Sequence, residues 1–238
     1  MVKLIDDFKA VFDRDPAARG FWSFFTVMLT YAGFHAIVLH RLAHRLHRMH
    51  IPVLPHIIMA VSRFITGVEI HPAADIGGGF FIDHGMGVVI GETSVLGVNV
   101  TLYQGVTLGG TGKERGKRHP TLGDNVVVGA GAKVLGAITI GNNVYVGANA
   151  VVLKDVADDC TVVGVPGRCV KQEGFKVMSM TLRHDLLPDP ILQRLNDLQE
   201  EIHAAEEDIR RRHVSGDDRS DRDKNNPEPD NNKDCHDS

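Results

Sequence analysis

Aliphatic residues recur at every sixth position through the middle of the chain. From residue 122 the step is uninterrupted, and upstream it runs in two shorter series that restart two positions apart. Neither a helix, with a period of about 3.6, nor an ordinary strand, with a period of about 2, explains a six-residue step. A parallel β-helix does, because each hexapeptide is a short strand plus a tight turn and three complete a coil. The inward positions predicted in this way are Ile70, Ile76, Ile82, Val88, Ile90, Leu96, Leu102, Leu108, Leu122, Val128, Val134, Ile140, Val146 and Val152.

The pattern divides the chain into successive segments. Residues 1–68 are predicted to be an α-helical N-terminal domain, broken at Asp15-Pro16, at Gly33 and over residues 52–55. Residues 69–170 are predicted to be the β-helix. Between Leu108 and Leu122 the stretch GGTGKERGKRHPT carries no aliphatic marker. It predicts a loop, residues 109–121, extruded from one coil, and long loops on rigid scaffolds often carry function.

The C-terminal quarter has a different character. Residues 171–213 are predicted to be an extension with one helix, because leucine and isoleucine form an apolar stripe there. Residues 214–238 are polar and of low complexity, and they predict a disordered tail.

Composition narrows the class of protein. The net charge is −4 and only 6% of the 238 residues are aromatic, which argues against a nucleic-acid partner. Three cysteines, in a pattern with neither metal nor disulfide spacing, suit a reducing cytoplasm, and the N-terminal stretch has no apolar signal-peptide core. Residues 21–39 carry no charged Asp, Glu, Lys or Arg, but interspersed polar residues favour buried helices over a membrane span.

Histidines and acids stand out where small or aliphatic residues are the rule. His84 follows the inward Ile82 near a predicted corner, and Glu69 lies 15 positions earlier. A carboxylate within reach of an imidazole holds one tautomer and stabilises the imidazolium, as a general base requires. The extruded loop adds Arg118 and His119. A zinc site formed by His71, His84 and His119 is an alternative, although their spacings do not repeat a coil.

Three stretches resemble the serine O-acetyltransferase family over about residues 10–170. They are EIHPAADIGGGFFIDHGMGVVIGET, LYQGVTLGGTGKERGKRHPTLGDNVVVGAGAKVLG and GVPGRCV. The resemblance implies a left-handed parallel β-helix that transfers the acetyl group of acetyl-CoA to the hydroxyl of L-serine in cysteine biosynthesis. It implies acetyl-CoA as co-substrate, with no metal expected.

The resemblance also implies residue roles. His84 matches the general base, and Glu69 matches the acid that orients it, where many members have Asp. The substrate ammonium would be held by Asp15 and Asp83, and its carboxylate by Arg118 and His119. Gly110 matches a loop position that faces the developing oxyanion, whereas Ala130 and Ala148 match small residues along the coenzyme A arm. A direct transfer, without an acyl-enzyme, fits the lack of a credible cysteine nucleophile.

Assembly and regulation follow from the same resemblance. Hexapeptide β-helices associate in threes with sites between subunits, so we expect a homotrimer, or a hexamer of two trimers. The family implies feedback inhibition by L-cysteine. Family tails often end in Ile and insert into O-acetylserine sulfhydrylase, so the resemblance implies this partner, but this chain ends in DCHDS without a terminal Ile, which puts the partnership in doubt. No nucleic-acid or membrane partner is expected.

Three other functions stay open at this point. The first is another hexapeptide O-acetyltransferase with a different acceptor, although paired acids and paired basic groups favour a zwitterion over a sugar. The second is a non-catalytic scaffold that docks a biosynthetic partner through residues 181–238. The third is a zinc enzyme of the β-helix carbonic anhydrase type.

Overall fold

The computed structural model describes residues 2–18, 20, 22–112, 115–170, 195, 198–207 and 209–210. Contacts divide the chain at residue 190 into two compact units. In the first unit, helices lead directly into a column of short strands. In the second, residues 198–207 are helical. The tail predicted at 214–238 and residues 171–194 of the predicted extension lie outside the described residues.

Helices occupy the N-terminal part, as the sequence pattern predicts. Gly33 is not the predicted break: the chain turns at Tyr31, the extended residue between two helices, and Gly33 lies inside the next helix. Gly33 instead permits close packing, because an added Cβ would lie 2.2 Å from the carbonyl oxygen of Ile82. The helices are α1 Val2–Arg14, α2 Ser23–Thr30, α3 Ala32–Arg48 and α4 Leu54–Thr66.

A buried ion pair fastens these helices to the first coil. Asp7 of α1 is fully buried, and both of its oxygens accept hydrogen bonds of 3.0 Å from Arg41 of α3. The same guanidinium donates to the carbonyl oxygens of Ile76 and Gly77, and Asp7 also accepts from the backbone of Phe80. Burial raises the pKa of Asp7, whereas Arg41 lowers it. Every charged atom in the pair therefore has a partner, which is the condition for burying an ion pair without a large penalty.

The strands stack into three parallel sheets that form the faces of a β-helix. Face A contains β1, β4, β7, β10 and β13, face B contains β2, β5, β8 and β11, and face C contains β3, β6, β9, β12 and β14. The last strand, β15, pairs antiparallel with β14. The strands are β1 Glu69–Ile70, β2 Asp75–Ile76, β3 Phe81–Ile82, β4 Val89–Ile90, β5 Val95–Leu96, β6 Thr101–Leu102, β7 Thr107–Gly109, β8 Thr121–Leu122, β9 Val127–Val128, β10 Lys133–Leu135, β11 Thr139–Ile140, β12 Tyr145–Val146, β13 Val151–Val152, β14 Thr161–Val163 and β15 Arg168–Val170.

The predicted core is confirmed. Every inward position named from the six-residue step is at most 3% exposed. Those side chains form one continuous cluster along the axis of the β-helix. Ala36, Ile37, Ala43 and Met59 from the helices join the same cluster, so helices and coils share one apolar core.

The length of a coil is eighteen residues, except that two coils are longer and the last is two residues shorter, because Tyr145 pairs with Thr161. Thr107 pairs with Lys133, across the loop of residues 110–120, whereas Val89 pairs with Thr107 and Lys133 with Val151. Glu69 pairs with Val89, so the first coil has two additional residues at the corner that holds His84. Strand register is kept on both sides of each insertion, so the additional residues must leave the core at a corner.

Side-chain amides stabilise the corner between faces B and C. Asn99, Asn125, Asn143 and Asp159 stack in successive coils, each with a φ between 56° and 60° except Asn143 at 53°. The amide of Asn125 accepts from Asn99 at 3.3 Å and donates to Asn143 at 3.1 Å. Asparagine is favoured there because it tolerates the left-handed conformation better than other residues with a Cβ.

The prediction for two of the cysteines is wrong. Cys160 and Cys169 are disulfide-bonded, with Cα atoms 5.9 Å apart. Because β15 folds back antiparallel on β14, it brings together residues whose spacing suggested no pairing. The third cysteine, Cys235, lies outside the described residues.

No single helix in the described ranges is long and apolar enough to cross a membrane. The bent pair formed by α2 and α3, at an angle of 63°, passes the same test of length and composition when the two helices are taken together.

We expect Asn125→Ala to lower the free energy of unfolding by about 2–3 kcal/mol, since alanine is strained at φ 56° and both ladder hydrogen bonds are lost. Asn125→Gly is the matched control, because it removes the same hydrogen bonds without backbone strain. Thermal and urea unfolding of both variants measure the difference. Equal losses in the two variants would contradict the contribution of backbone conformation.

Candidate active site

Two groups of polar side chains lie at different corners of the β-helix. The first, the acidic cluster, consists of Asp15, Tyr31, Asp83, His84 and Tyr103. It lies at the corner between faces C and A, where the coil has two additional residues. The second, the basic cluster, consists of Glu92, Thr93, Lys117, Arg118 and His119, and it lies at the corner between faces A and B, where the loop leaves the coil.

The acidic cluster joins α1 to the β-helix. Tyr31 donates a hydrogen bond of 2.5 Å to Asp15, which follows α1 directly. Burial raises the pKa of Asp83; His84 lowers it and the carboxylate of Asp15 raises it again. Burial, followed by the charges of Asp83 and Asp15, raises the pKa of Tyr103 to about 12. Two carboxylates therefore share a half-buried space with tyrosines, and a cation bound there would relieve their repulsion.

His84 is presented to solvent by an unusual backbone conformation. Its φ is 58°, its side chain is 73% exposed, and its Nε2 lies 3.9 Å from Oδ1 of Asp83. Gly85 follows with φ 82°, and an added Cβ there would lie 2.9 Å from Val68. The corner is thus packed on the residue before Glu69, while the imidazole remains free to contact a ligand. Strained residues of this kind are concentrated at functional sites.

Glu69 does not pair with His84 within the chain. Its carboxylate forms an ion pair of 3.0 Å with Arg63 of α4, and the two side chains are 48% and 65% exposed. Both line a cavity of about 510 Å³ together with His56, His71, Glu92, Gly110, Arg118 and His119. Asp15, Asp83 and His84 do not line this cavity.

The basic cluster is held by hydrogen bonds to Glu92 and Thr93. Arg118 donates to Glu92 at 2.5 Å, and Lys117 donates to the carbonyl oxygen of Thr93 at 2.7 Å. Burial lowers the pKa of His119, and Arg118 lowers it further. His119 is therefore neutral near pH 7, next to the positively charged guanidinium of Arg118.

Glycines bring the backbone close to the imidazole of His119. An added Cβ on Gly91 would lie 2.1 Å from Nε2 of His119, and one on Gly110 would lie 3.2 Å from the same atom. Gly110 thus lies next to the imidazole of His119, and its predicted role toward a developing oxyanion remains a prediction. The sequence pattern alone assigns no role to Gly91, Glu92 or Thr93. These residues form the GET stretch, which is part of the family resemblance but to which no chemistry was assigned.

Ala130 and Ala148 lie at the same corner of the β-helix as His84, in later coils. Register pairs Leu102 with Val128 and Val128 with Val146, so Gln104, Ala130 and Ala148 are equivalent corner positions. In the first coil the equivalent position is that of Met86, whose carbonyl oxygen accepts from Gly105 as that of Gln104 accepts from Gly131. Ala148 is exposed and Ala130 is half-buried beside Tyr103 and Tyr145. In the coils after Gln104, this corner therefore carries small side chains.

The three histidines of the zinc alternative do not converge. His71 and His119 line the cavity, whereas His84 lies at the other corner. Among the residues with described positions, no three His, Cys, Asp or Glu side chains are arranged to hold a metal ion.

A parallel β-helix with charged clusters at its corners is the architecture of hexapeptide-repeat transferases. The family model for bacterial transferase hexapeptide repeats matches residues 119–154. The chain is 56% identical over 206 residues to serine acetyltransferase of Bacillus pumilus, covering 87% of this chain and 93% of that protein. It is 55% identical over 199 residues to serine acetyltransferase of Bacillus subtilis, covering 84% and 90% of the two chains.

Solved structures of serine acetyltransferases are also similar to this chain. Serine acetyltransferase of Neisseria gonorrhoeae in complex with serine has a TM-score of 0.68 and 44% identity, covering 71% of this chain and 68% of that one. A serine acetyltransferase in complex with cysteine has a TM-score of 0.70 and 44% identity, covering 75% and 68%. The chain belongs to the serine acetyltransferase family and is an acyltransferase. Its family and structural neighbours imply a left-handed β-helix.

We expect Gly91→Ala to displace the imidazole of His119 and to reduce acetyl transfer to serine at least ~10-fold, because a Cβ cannot occupy the space of the ring. Steady-state rates and the melting temperature measure the effect. Gly112→Ala is the control for adding a Cβ without displacing the ring: nothing lies within 4 Å of that Cβ, and the φ of 77° shows what backbone strain alone costs. Full activity of Gly91→Ala with an intact fold would contradict the placement of His119.

Proposed function

We propose that the protein transfers the acetyl group of acetyl-CoA to the hydroxyl of L-serine, giving O-acetyl-L-serine and CoA in the first step from serine to cysteine. The observation that carries this proposal is the presence of two polar clusters, one acidic and one basic. Asp15 and Asp83 offer two carboxylates, and Arg118 and His119 offer a guanidinium and a hydrogen-bond donor. An amino acid is a zwitterion, so both of its charges require partners once water is removed.

His84 is the general base of the proposed reaction. It takes the proton of the serine hydroxyl as the oxygen attacks the thioester carbonyl, and the carbon–sulfur bond breaks when the tetrahedral intermediate collapses. The imidazolium then returns the proton to the departing thiolate. An acetyl group thus passes directly from sulfur to oxygen, and no covalent intermediate on the protein is needed. Such a base contributes a factor of about 10²–10⁴ to the rate.

In the proposed mechanism, the carboxylate of Glu69 gives up its ion pair with Arg63 and orients the imidazole of His84. The corner that holds His84 packs on Gly67 and Val68, directly before Glu69: the backbone N–H of Gly87 donates to the carbonyl oxygen of Gly67 at 2.9 Å. Both the carboxylate of Glu69 and the imidazole are largely exposed. An exposed ion pair such as that with Arg63 is worth only about 0–1 kcal/mol, so exchanging it for a contact with His84 costs little.

The remaining groups complete the site. Arg118 and His119 hold the carboxylate of serine, and the backbone N–H of Gly110 faces the oxyanion that develops on the thioester carbonyl. Acetyl-CoA lies along the column of small residues, with Ala130 and Ala148 beside its pantetheine arm. No metal is expected in this mechanism.

A trimer brings the two clusters together. Within one chain they lie on opposite sides of face A, so a single site requires the acidic cluster of one subunit and the basic cluster of its neighbour. Four apolar side chains on α4 are more than half exposed, and they favour self-association: Ile57, Val61, Phe64 and Ile65. A hexamer of two trimers is the alternative assembly.

Regulation and location belong to the same proposal. L-cysteine has the same ammonium and carboxylate as serine, so the two clusters would bind it as a competitive inhibitor. We place the enzyme in the cytoplasm, where acetyl-CoA is available.

We expect wild-type protein to release thiol from acetyl-CoA when L-serine is added, and His84→Ala to reduce that rate at least ~10²-fold. The control is His50→Ala, because His50 is also exposed and has a φ of 56°, so it suffers the same backbone strain. A thiol-trapping dye follows the reaction. If folded His84→Ala keeps full activity, His84 is not the base.

The second candidate function is acetylation of a different acceptor on the same fold. A panel of L-serine, L-homoserine, serine amide and simple sugars separates the two. The zwitterion account predicts that serine amide, which lacks the carboxylate, is a poor acceptor. Equal rates with a sugar would overturn the assignment to serine.

Unchanged activity after removal of residues 181–238 would count against the scaffold function.

A further inference from the structure

Thr93 is the point at which the loop of the basic cluster is attached to the β-helix. Its side-chain oxygen accepts hydrogen bonds from the backbone N–H groups of Arg118 at 3.0 Å and of His119 at 3.1 Å. Its carbonyl oxygen accepts from Lys117 at 2.7 Å. A single half-buried residue thereby contacts three consecutive residues of the loop.

The same residue determines the tautomer of His119. Nδ1 of His119 lies 2.9 Å from Oγ1 of Thr93 and 3.2 Å from the backbone nitrogen of Thr93. The hydroxyl oxygen already accepts two N–H groups, so its own proton is directed to Nδ1. Two donors therefore converge on Nδ1, which must accept, and the ring proton is left on Nε2.

The protonated nitrogen faces the cavity. Nε2 lies beside the positions where Gly91 and Gly110 lack a side chain, and Gly110 and His119 both line the cavity. Protonation of Nδ1 would set its proton against two donors, which disfavours the imidazolium and agrees with a pKa lowered first by burial and then by Arg118. His119 is thus presented as a neutral imidazole with one hydrogen-bond donor in a fixed direction.

We propose that Thr93 is a positioning residue that locks His119 as a neutral Nε2–H donor for the carboxylate of the acceptor substrate. This inference rests on the proposed function for the identity of the substrate. The two residues then have different roles toward the substrate carboxylate. Arg118, which donates to Glu92 at 2.5 Å, provides a positive charge, and His119 provides a hydrogen bond in a fixed direction. A carboxylate with two oxygens matches one charged and one neutral donor.

The test compares Thr93→Val with Thr93→Ser. Valine keeps the shape of threonine but removes the hydroxyl, whereas serine keeps the hydroxyl. We expect Thr93→Val to raise KM for L-serine at least ~10-fold. The backbone N–H groups of Arg118 and His119 would lose their acceptor and the imidazole of His119 would lose a donor, so the substrate carboxylate would be bound less well. In Thr93→Val, KM for acetyl-CoA should stay within about twofold of the wild-type value. Thr93→Ser should have a KM for serine close to that of the wild type. Thr139→Val, on an exposed threonine of face B, is the matched control.

A spectroscopic readout is independent of the reaction. In ¹⁵N-histidine-labelled protein, assigned by loss of a signal in His119→Ala, Nδ1 of His119 should have the chemical shift of an unprotonated acceptor and Nε2 that of a protonated nitrogen. In Thr93→Val only the backbone donor at 3.2 Å remains on Nδ1, so the fraction of the tautomer with a protonated Nδ1 should rise. A protonated Nδ1 in the wild type would overturn the proposal, as would an equal rise of both KM values in Thr93→Val.

The two readouts separate the failures. If the wild type does not use serine but Nδ1 is unprotonated, the positioning of His119 stands and the substrate assignment fails. If the wild type uses serine and Thr93→Val has an unchanged KM for it, the function stands and Thr93 has no positioning role.

Discussion

Strand register along the β-helix axis is the constraint on which this structure depends. Each coil must place its aliphatic residues over those of the previous coil, so an additional residue cannot be accommodated inside the core. Insertions are therefore confined to corners, where backbone can project into solvent without breaking a ladder of hydrogen bonds. The described repeats contain two such insertions, the corner of residues 83–86 and the loop of residues 110–120, and both carry the polar groups of the proposed site. In this repetitive fold, polar groups of the site thus lie where a coil is lengthened.

The helices are positioned by a second constraint, the buried pair of Asp7 and Arg41. Because Arg41 also donates to two carbonyl oxygens of the first coil, the pair fixes α1 and α3 on the end of the β-helix. Asp15, directly after α1, is thereby held near Asp83 through Tyr31. Removing one partner would leave a buried charge, which typically costs about 3–5 kcal/mol. The acidic cluster consequently depends on a contact that lies outside it.

Much of this could be predicted from sequence because the informative signals are periodic or local. The six-residue step identified the inward residues, and the interrupted step identified the loop. Contacts between distant residues leave no such signal. The ion pair of Glu69 with Arg63 was not predictable, and neither was the disulfide, which depends on an antiparallel strand that follows the last coil. Thr93 contacts residues 24 to 26 positions away, so its role appeared only when the loop was seen folded back. His84, Glu69, Arg118 and His119 stood out in the residue pattern, the other site residues came from family resemblance, and the roles of all of them remain proposals.

The central claim is that the acidic cluster of one subunit and the basic cluster of another form one site. It is tested most directly by mixing inactive subunits. His84→Ala and His119→Ala would be co-expressed with different affinity tags, and oligomers that carry both tags would be assayed for serine-dependent thiol release. If the site spans two subunits, about one in three interfaces of a mixed trimer contains both native histidines, so activity should return to about a third of the wild-type value. Mixed oligomers as inactive as either parent would contradict the account, because each subunit would then contain its own complete site.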